Sequence, residues 1–175
     1  MVKKTKSSGV KGVNVNSWYA LAIARMMVGY VFLWAFFDKL FGLGVATPAA
    51  RAWVNGGSPT KGFLMGAATS NSPFAGLFQW LSTQTVWTDW LFMLGLLGIG
   101  LALFCGVAMR LAAAAGAVLL VMMWMASLPL ENNPFIDDHL IYAVLLVALA
   151  GIEQRWSIAE WWHGFDFVKK NRWLW

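Results

Sequence analysis

Long apolar runs separated by short polar clusters dominate the pattern along the chain. Residues 90–109 and 111–130 contain no charged side chain, and residues 18–37 contain only Arg25. A helix needs about 20 residues to cross a hydrocarbon core of ~30 Å, and each of these runs reaches that length. The pattern therefore predicts membrane-spanning helices over about residues 17–43, 88–109 and 111–128.

A fourth apolar run, residues 139–152, is too short to cross a membrane without its flanking residues. A helix that begins at Asn133-Pro134 would be long enough, with Asn as the N-cap and Pro at the first helical position. We therefore predict a fourth span over about residues 134–153. Asp137 and Asp138 would lie near its N-terminal end, where the helix dipole favours anions.

The segments outside these spans are also unusually apolar. Residues 44–87 contain Thr47-Pro48 and Ser72-Pro73, which are typical helix starts and predict two short helices on the outer side. Residues 156–175 combine five tryptophans with basic residues, which is typical of an interfacial segment. The predicted fold is an all-α integral membrane four-helix bundle over residues 17–155, with an outer helical segment between helices 1 and 2 and a cytoplasmic interfacial tail.

Composition agrees with a membrane environment. Of the 175 residues, 59% are hydrophobic and 12% are charged, against roughly 25% charged in soluble domains. The lipid bilayer is therefore the first expected partner. The net charge of +5 does not indicate nucleic-acid binding, because the basic residues lie at the ends of the predicted helices rather than on a polar face.

The distribution of lysine and arginine predicts the orientation. With four spans, nine of these residues lie on one side and only Arg51 and Lys61 on the other. The positive-inside rule then places both termini in the cytoplasm of a multi-pass protein in the cell (plasma) membrane. The basic segment 1–16 precedes a run that is too long for the core of a signal peptide, so we expect the first span to be retained. The nine are Lys3, Lys4, Lys6, Lys11, Arg110, Arg155, Lys169, Lys170 and Arg172.

Few residues suit a bound cofactor or metal. Cys105 is the single cysteine, which excludes a disulfide within the chain and a CxxC motif. His139 and His163 are predicted on opposite sides of the membrane, so they would not ligate one haem within this subunit. No carboxylate cluster has a recognised metal-binding spacing. We therefore expect no metal site and no cofactor held by the chain's own ligands.

Ionisable residues within the spans are the best functional candidates, because they are costly in lipid. Arg25 and Lys39 are fourteen residues apart, nearly four full helical turns, and so share one face of helix 1. By the same spacing His139, Tyr142 and Glu153 share a face of helix 4. Arg25 and Glu153 are both predicted in the inner half, where they could pair.

A second group of ionisable residues is predicted at one level near the outer boundary. Such mixed charges suit either a small polar pocket or a structural ion network, and the sequence leaves both open. The turn-rich residues 56–61 offer backbone N–H groups and one cation to an anion, or form a plain loop. The seven residues of the group are Asp38, Lys39, Asp89, Glu131, Asp137, Asp138 and His139.

The first predicted helix also resembles a known family. Arg25, Gly29 and the pair Lys39-Leu40 match the first-helix pattern of the DoxX/DoxD superfamily, an Arg, a Gly four residues later and a Lys-Leu at the far end. Residues 53–63 resemble the outer segment of the DoxD-like branch, and residues 127–139 resemble the stretch before its last helix. The resemblance covers about residues 17–155.

The resemblance implies a four-helix membrane fold and, for DoxD-type members, a subunit of thiosulfate:quinone oxidoreductase. Such an enzyme oxidises thiosulfate to tetrathionate and passes the electrons to quinone, which makes quinone a possible substrate. Other membrane or redox subunits and a small anion are the expected partners.

Two functional hypotheses follow from these observations. In the first, the chain is a redox subunit in which Asp138 and His139 exchange protons with a quinol. Its remaining substrate- or quinone-binding residues would be Arg25, Lys39, Trp53, Lys61 and Tyr142, and its structural ion network would comprise Asp38, Asp89, Glu131, Asp137 and Glu153. In the second, the chain is a non-catalytic accessory subunit that anchors or stabilises a larger membrane complex. A small-solute transporter is disfavoured, since no inverted repeat is visible.

Overall fold

The computed structural model describes residues 15–131 and 133–175, and these residues form an all-helical structure. The long helices are α1 (Val15–Phe41), α4 (Thr85–Cys105), α5 (Met109–Ser127) and α6 (Asp138–Ala150). Shorter helices are α2 (Lys61–Thr69), α3 (Ala75–Ser82), α7 (Ala159–His163) and α8 (Asp166–Lys170). Three 3₁₀ turns cover Ala49–Arg51, Trp53–Asn55 and Arg172–Leu174. Most of the predicted N-terminal segment 1–16 lies outside the described residues.

Three helices are long and apolar enough to cross a membrane: Asn16–Phe41 within α1, and all of α4 and α5. Only 28%, 33% and 33% of their most apolar stretches are buried inside the protein. The remaining apolar surface faces outward, which a soluble protein rarely tolerates over such an area. The protein is therefore expected in a lipid bilayer, and three of the four predicted spans correspond to helices that are long and apolar enough to cross it.

The apolar core lies between α1, α4, α5 and α6. The main helix pairs are α1 with α4 and α5 with α6, and α4 also packs on α5. Gly29 allows α1 and α4 to approach closely, since a Cβ there would lie 2.7 Å from the backbone nitrogen of Phe104. Fully buried residues at the centre are Phe32, Met93, Leu96, Leu103, Leu120, Leu146 and Leu149.

The turn between α4 and α5 lies earlier than predicted. The sequence placed it at Arg110, whereas α4 ends at Cys105 and α5 begins at Met109. Gly106 adopts a left-handed conformation with φ of 72°, and its N–H donates to the carbonyl of Ala102. Glycine ends helices in this way at little steric cost, and this explains the position of the turn.

The fourth helix is shorter than predicted. It starts at Asp138 rather than at Pro134, because Asp137 is its N-cap and accepts from the N–H of Leu140. Asn133 instead organises the preceding turn by accepting from the N–H groups of Phe135 and Ile136. At the other end, the side chain of Gln154 donates to the carbonyl of Leu149 at 2.8 Å and satisfies the helix terminus there.

The outer segment contains helices, but the predicted starts were only partly right. Thr47-Pro48 precedes a 3₁₀ turn rather than an α-helix. Ser72-Pro73 does lead into α3, and the Ser72 hydroxyl accepts from the N–H of Phe74. Helix α2 was not predicted by a capping motif. Helices α2 and α3 pack on each other and close over the end of α5, with Leu64, Phe78 and Ala126 buried between them.

The C-terminal tail folds back onto the turn between α4 and α5. The backbone N–H of Arg110 donates to the carbonyl of Trp175 at 2.9 Å, and that of Ile158 donates to the carbonyl of Cys105 at 3.0 Å. The indole of Trp162 donates to the carbonyl of Leu174 at 2.8 Å. The tail is thus a small docked unit with its own internal contacts. Its exposed aromatic side chains include Trp156, Trp161, Phe165, Phe167 and Trp173.

Candidate functional site

A groove of about 770 Å³ runs along α1 and lies against α4, α5 and α6. Its wall is almost entirely apolar, and both aromatic and sulfur-containing side chains line it. The polar side chains Lys39, Asp138, His139 and Tyr142 belong to the last turn of α1 and the first two turns of α6, and the Tyr30 hydroxyl is a further polar group midway along α1. The groove, which we call the α1–α6 groove, is therefore mainly apolar along its length, and its charged groups lie at one end. Its apolar lining includes Met26, Met27, Val31, Phe92, Phe104, Leu120 and Met123.

The polar end is arranged by the N-terminus of α6. Asp137 accepts from the backbone of Leu140 through one carboxylate oxygen and lies 2.6 Å from Nδ1 of His139 through the other. This contact fixes the imidazole and leaves Nε2 without a partner among the described residues. Asp138 lies 3.6 Å from the same Nδ1, and 72% of its side chain is exposed. A fixed imidazole and an exposed carboxylate therefore adjoin each other at the groove.

Lys39 supplies the positive charge at this end of the groove. Its ammonium nitrogen lies 5.9 Å from the centre of the Phe92 ring, within range of a cation–π interaction. The groove thus offers an apolar channel, a cation, an imidazole and a carboxylate to one ligand. This combination can hold an elongated molecule with a polar head and can exchange protons with that head.

The same end of α6 also brings metal-ligating groups together. Asp137, Asp138 and His139 each offer one ligand atom, and these atoms lie within 4.8 Å of one another. The sequence predicted no metal site, and the fold reveals this group among the described residues. Both oxygens of Asp137 already accept a contact, so a cation here would compete with the helix cap and the imidazole for them.

Arg25 lies away from the groove's polar end. It is fourteen residues before Lys39, about 21 Å along the helix at 1.5 Å per residue. Its guanidinium donates to the carbonyl of Arg155 at 3.0 Å and to that of Trp156 at 2.9 Å. The proposed pair with Glu153 is not formed, since Glu153 lies 3.6 Å from Arg155 instead. Arg25 is 1% exposed, and its hydrogen bonds join α1 to the start of the tail.

The two buried carboxylates of the predicted outer level do not form an ion network. Asp38 accepts from the backbone N–H groups of Val45 and Ala46 at 3.3 and 3.2 Å. Asp89 accepts from the Thr60 hydroxyl at 2.6 Å and from the Ser58 hydroxyl at 2.9 Å. Both carboxylates therefore anchor the outer segment through hydrogen bonds rather than ion pairs.

The remaining predicted site residues are dispersed. Trp53 packs edge-on against Trp90, with ring centres 4.7 Å apart, and belongs to the margin of the core. Lys61 lines a separate cavity that it shares with Lys39. Glu131 is exposed. Of the predicted binding and catalytic residues, the fold brings Lys39, Asp138, His139 and Tyr142 together, whereas Arg25, Trp53 and Lys61 lie outside the groove.

Several residues of the site were not singled out from the sequence. Phe92, Met26 and Met123 line the groove, and Arg51 lines the cavity that contains Lys61. Apolar residues within a span give no signal that separates groove walls from lipid-facing positions. Arg51 did carry a signal, since it is one of only two basic residues predicted on the outer side.

No protein-family model matches the chain, and no curated protein or solved structure matches it either.

Proposed function

We propose that the protein is a membrane redox subunit of the DoxX/DoxD type that takes part in the quinone-linked oxidation of thiosulfate or a related sulfur species. The observation that carries the proposal is the α1–α6 groove, mainly apolar along its length and with its charged groups at one end. A quinone has the matching shape, since an isoprenoid tail suits the apolar walls and a ring with two oxygens suits the polar end.

The polar end has groups for each part of the chemistry. Two thiosulfate ions that join through a new sulfur–sulfur bond release two electrons, and a quinone that takes two electrons and two protons becomes a quinol. His139 and the exposed Asp138 would supply these protons to the quinone oxygens. Lys39 would stabilise negative charge on the reduced ring and draw the sulfur anion to the mouth of the groove.

Four membrane spans with both termini in the cytoplasm form part of this proposal. The 13-residue α6 covers about 20 Å at 1.5 Å per residue, less than a hydrocarbon core. Its packing on α5 and its three buried leucine and alanine positions in the shared core support a crossing in which the flanking residues 133–137 and 151–154 complete the span. The charge distribution supports the orientation and a plasma-membrane location.

The proposal is tested by measuring quinone reduction by the purified protein together with its native membrane partners. The expected result is reduction that depends on thiosulfate and is lost in a His139→Gln, Asp138→Asn double variant. Quinone binding, measured separately by competition with a fluorescent quinone analogue, should saturate at one site per chain. Absence of thiosulfate-dependent reduction with partners present, despite normal quinone binding, would refute the sulfur chemistry but not the quinone site.

An accessory role is the second candidate, and the C-terminal tail favours it. Trp161 is 62% exposed and Phe167 66% exposed on a unit that the backbone of α5 holds in place. A fixed aromatic surface of this kind suits a partner subunit or the lipid headgroup region. Gentle detergent extraction followed by native mass measurement separates the candidates, since an accessory subunit would be recovered in a defined complex that a Trp161→Ala, Phe167→Ala variant loses.

A further inference from the structure

A second cavity, of about 470 Å³, lies between the end of α1, the loop that follows it and the start of α2. Three basic side chains line it, Lys39, Arg51 and Lys61, and no acidic residue of the described chain does so. We call it the outer cationic cavity. We propose that it binds a tetrahedral oxyanion, either a free ion of the sulfate or phosphate type or the phosphate of an anionic lipid.

The first argument is that the lining of the cavity is positively charged and has no counter-charge in the described part of the chain. None of the three basic side chains forms an ion pair within the described residues. The two buried carboxylates at this end, Asp38 and Asp89, are already occupied as acceptors for backbone N–H groups and hydroxyls. Three like charges that share one cavity repel one another, and an anion between them relieves that repulsion.

The second argument is that the walls are fixed before any ligand arrives. Asp89 accepts from the backbone N–H and hydroxyl of Thr60. These hydrogen bonds fix the backbone that precedes Lys61. Gly57 packs directly on the carbonyl of Arg51, where a Cβ would not fit. The backbone of the walls is thus preformed, which lowers the entropy cost of binding, whereas the Arg51 and Lys61 side chains that would contact the ligand are exposed.

The third argument is the supply of hydrogen-bond donors. Helix α2 begins at Lys61, and the N–H groups of Gly62 and Phe63, in its first turn, have no carbonyl partner within the described residues. Both residues line the cavity. Arg51 adds a planar guanidinium, which can hold two oxygens of one oxyanion. The Ser58 hydroxyl contributes no donor, because it already donates to Asp89.

This inference goes beyond the proposed function, because it concerns a separate cavity and holds whether or not the α1–α6 groove takes a quinone. The test therefore uses no quinone. Sulfate and phosphate are titrated into purified protein in a neutral detergent at constant ionic strength, and binding is followed by calorimetry. In a parallel arm, the protein is placed in nanodiscs of phosphatidylcholine with or without phosphatidylglycerol, and retained lipid is counted by native mass spectrometry.

The decisive variant is Arg51→Gln, Lys61→Gln, which leaves Lys39 and the groove intact, and Lys170→Gln is the matched control on the exposed tail. We expect saturable binding of sulfate or phosphate, or selective retention of phosphatidylglycerol, that weakens about tenfold or more in the double variant and is unchanged in the control. A response to the free ions assigns a soluble ligand, and retention of phosphatidylglycerol alone assigns a lipid. Binding in neither arm, or binding that the double variant keeps, would overturn the proposal.

Discussion

At the scale of single residues, polar side chains with similar sequence signals have different roles. Asp38 and Asp138 both lie next to a basic or imidazole side chain in sequence, yet Asp38 is 1% exposed and organises a loop, whereas Asp138 is largely exposed and lines the groove. Arg25 and Lys39 share one face of α1, but they lie fourteen residues apart and contact different parts of the fold. The residue type and its helical periodicity therefore predict the helix face on which a side chain lies. Its contact partners come from segments that are distant in the sequence.

The first prediction concerns His139. Replacement by Gln keeps a similar side-chain size but removes the group that we propose to exchange protons, so we expect quinone reduction to fall by about two orders of magnitude with little change in quinone affinity. The measurement is kcat and KM in the assay with native partners. His163→Gln, at the other end of the bundle, is the control and should retain its rate. Equal losses in the two variants would argue against a role for His139 in catalysis.

The second prediction concerns Arg25. An Arg25→Met variant removes the donors to the part-buried carbonyls of Arg155 and Trp156. We expect a loss of about 2 kcal/mol or more in the free energy of unfolding, together with faster proteolysis of the tail. Chemical denaturation in detergent provides the measurement, with Lys170→Met as control. Quinone affinity should stay unchanged. A selective loss of quinone affinity would indicate that Arg25 contributes to the ligand site.

At the scale of elements, the sequence predicted a helix well where the residues of that helix alone determine its position. Helix α1 was expected over residues 17–43 and covers Val15–Phe41, because a long apolar run has few alternatives. The start of α6 was misplaced by four residues, since Asn133 and Asp137 are both good N-caps and only the tertiary turn decides between them. The groove could not be predicted, because its walls come from four helices whose mutual rotation is not encoded in any one of them.

The third prediction tests the contact between α1 and α4. An added methyl group at Gly29 would meet the backbone of Phe104, and a backbone cannot give way as a flexible side chain can. We expect Gly29→Ala to lower the free energy of unfolding by about 1–3 kcal/mol. Gly95→Ala is the matched control on α4, since nothing lies within 4 Å of its added methyl group. Similar stability of the two variants would show that the helices are less closely packed than described.

At the scale of the whole molecule, the position of α6 decides the topology. If α6 spans the membrane as α4 and α5 do, the chain crosses the membrane three times between Lys61 and Lys170. If α6 does not span it, the chain crosses only twice. The tail would then lie on the opposite side from the outer cationic cavity in the first case and on the same side in the second. The apolar pattern predicted the four main helices, but it could not decide whether a 13-residue helix completes a crossing.

The fourth prediction follows from this count. In a Cys105→Ala background, single cysteines replace Lys61, Glu131 or Lys170, and intact cells are treated with a membrane-impermeant maleimide. We expect labelling of the first two and labelling of the third only after the cells are permeabilised. Labelling of all three in intact cells would mean that α6 does not cross.

Lys39 connects the two candidate ligand sites. Its side chain lines both the α1–α6 groove and the outer cationic cavity, so a single ammonium group serves two neighbouring volumes. An anion in the cavity would neutralise part of the charge that the groove presents to its own occupant. Thermodynamic linkage requires the effect to be reciprocal: whatever factor an anion applies to the affinity for a ligand in the groove, that ligand applies to the affinity for the anion. A ligand in the groove would thus change the anion affinity of the cavity, and the reverse, without any movement of the helices.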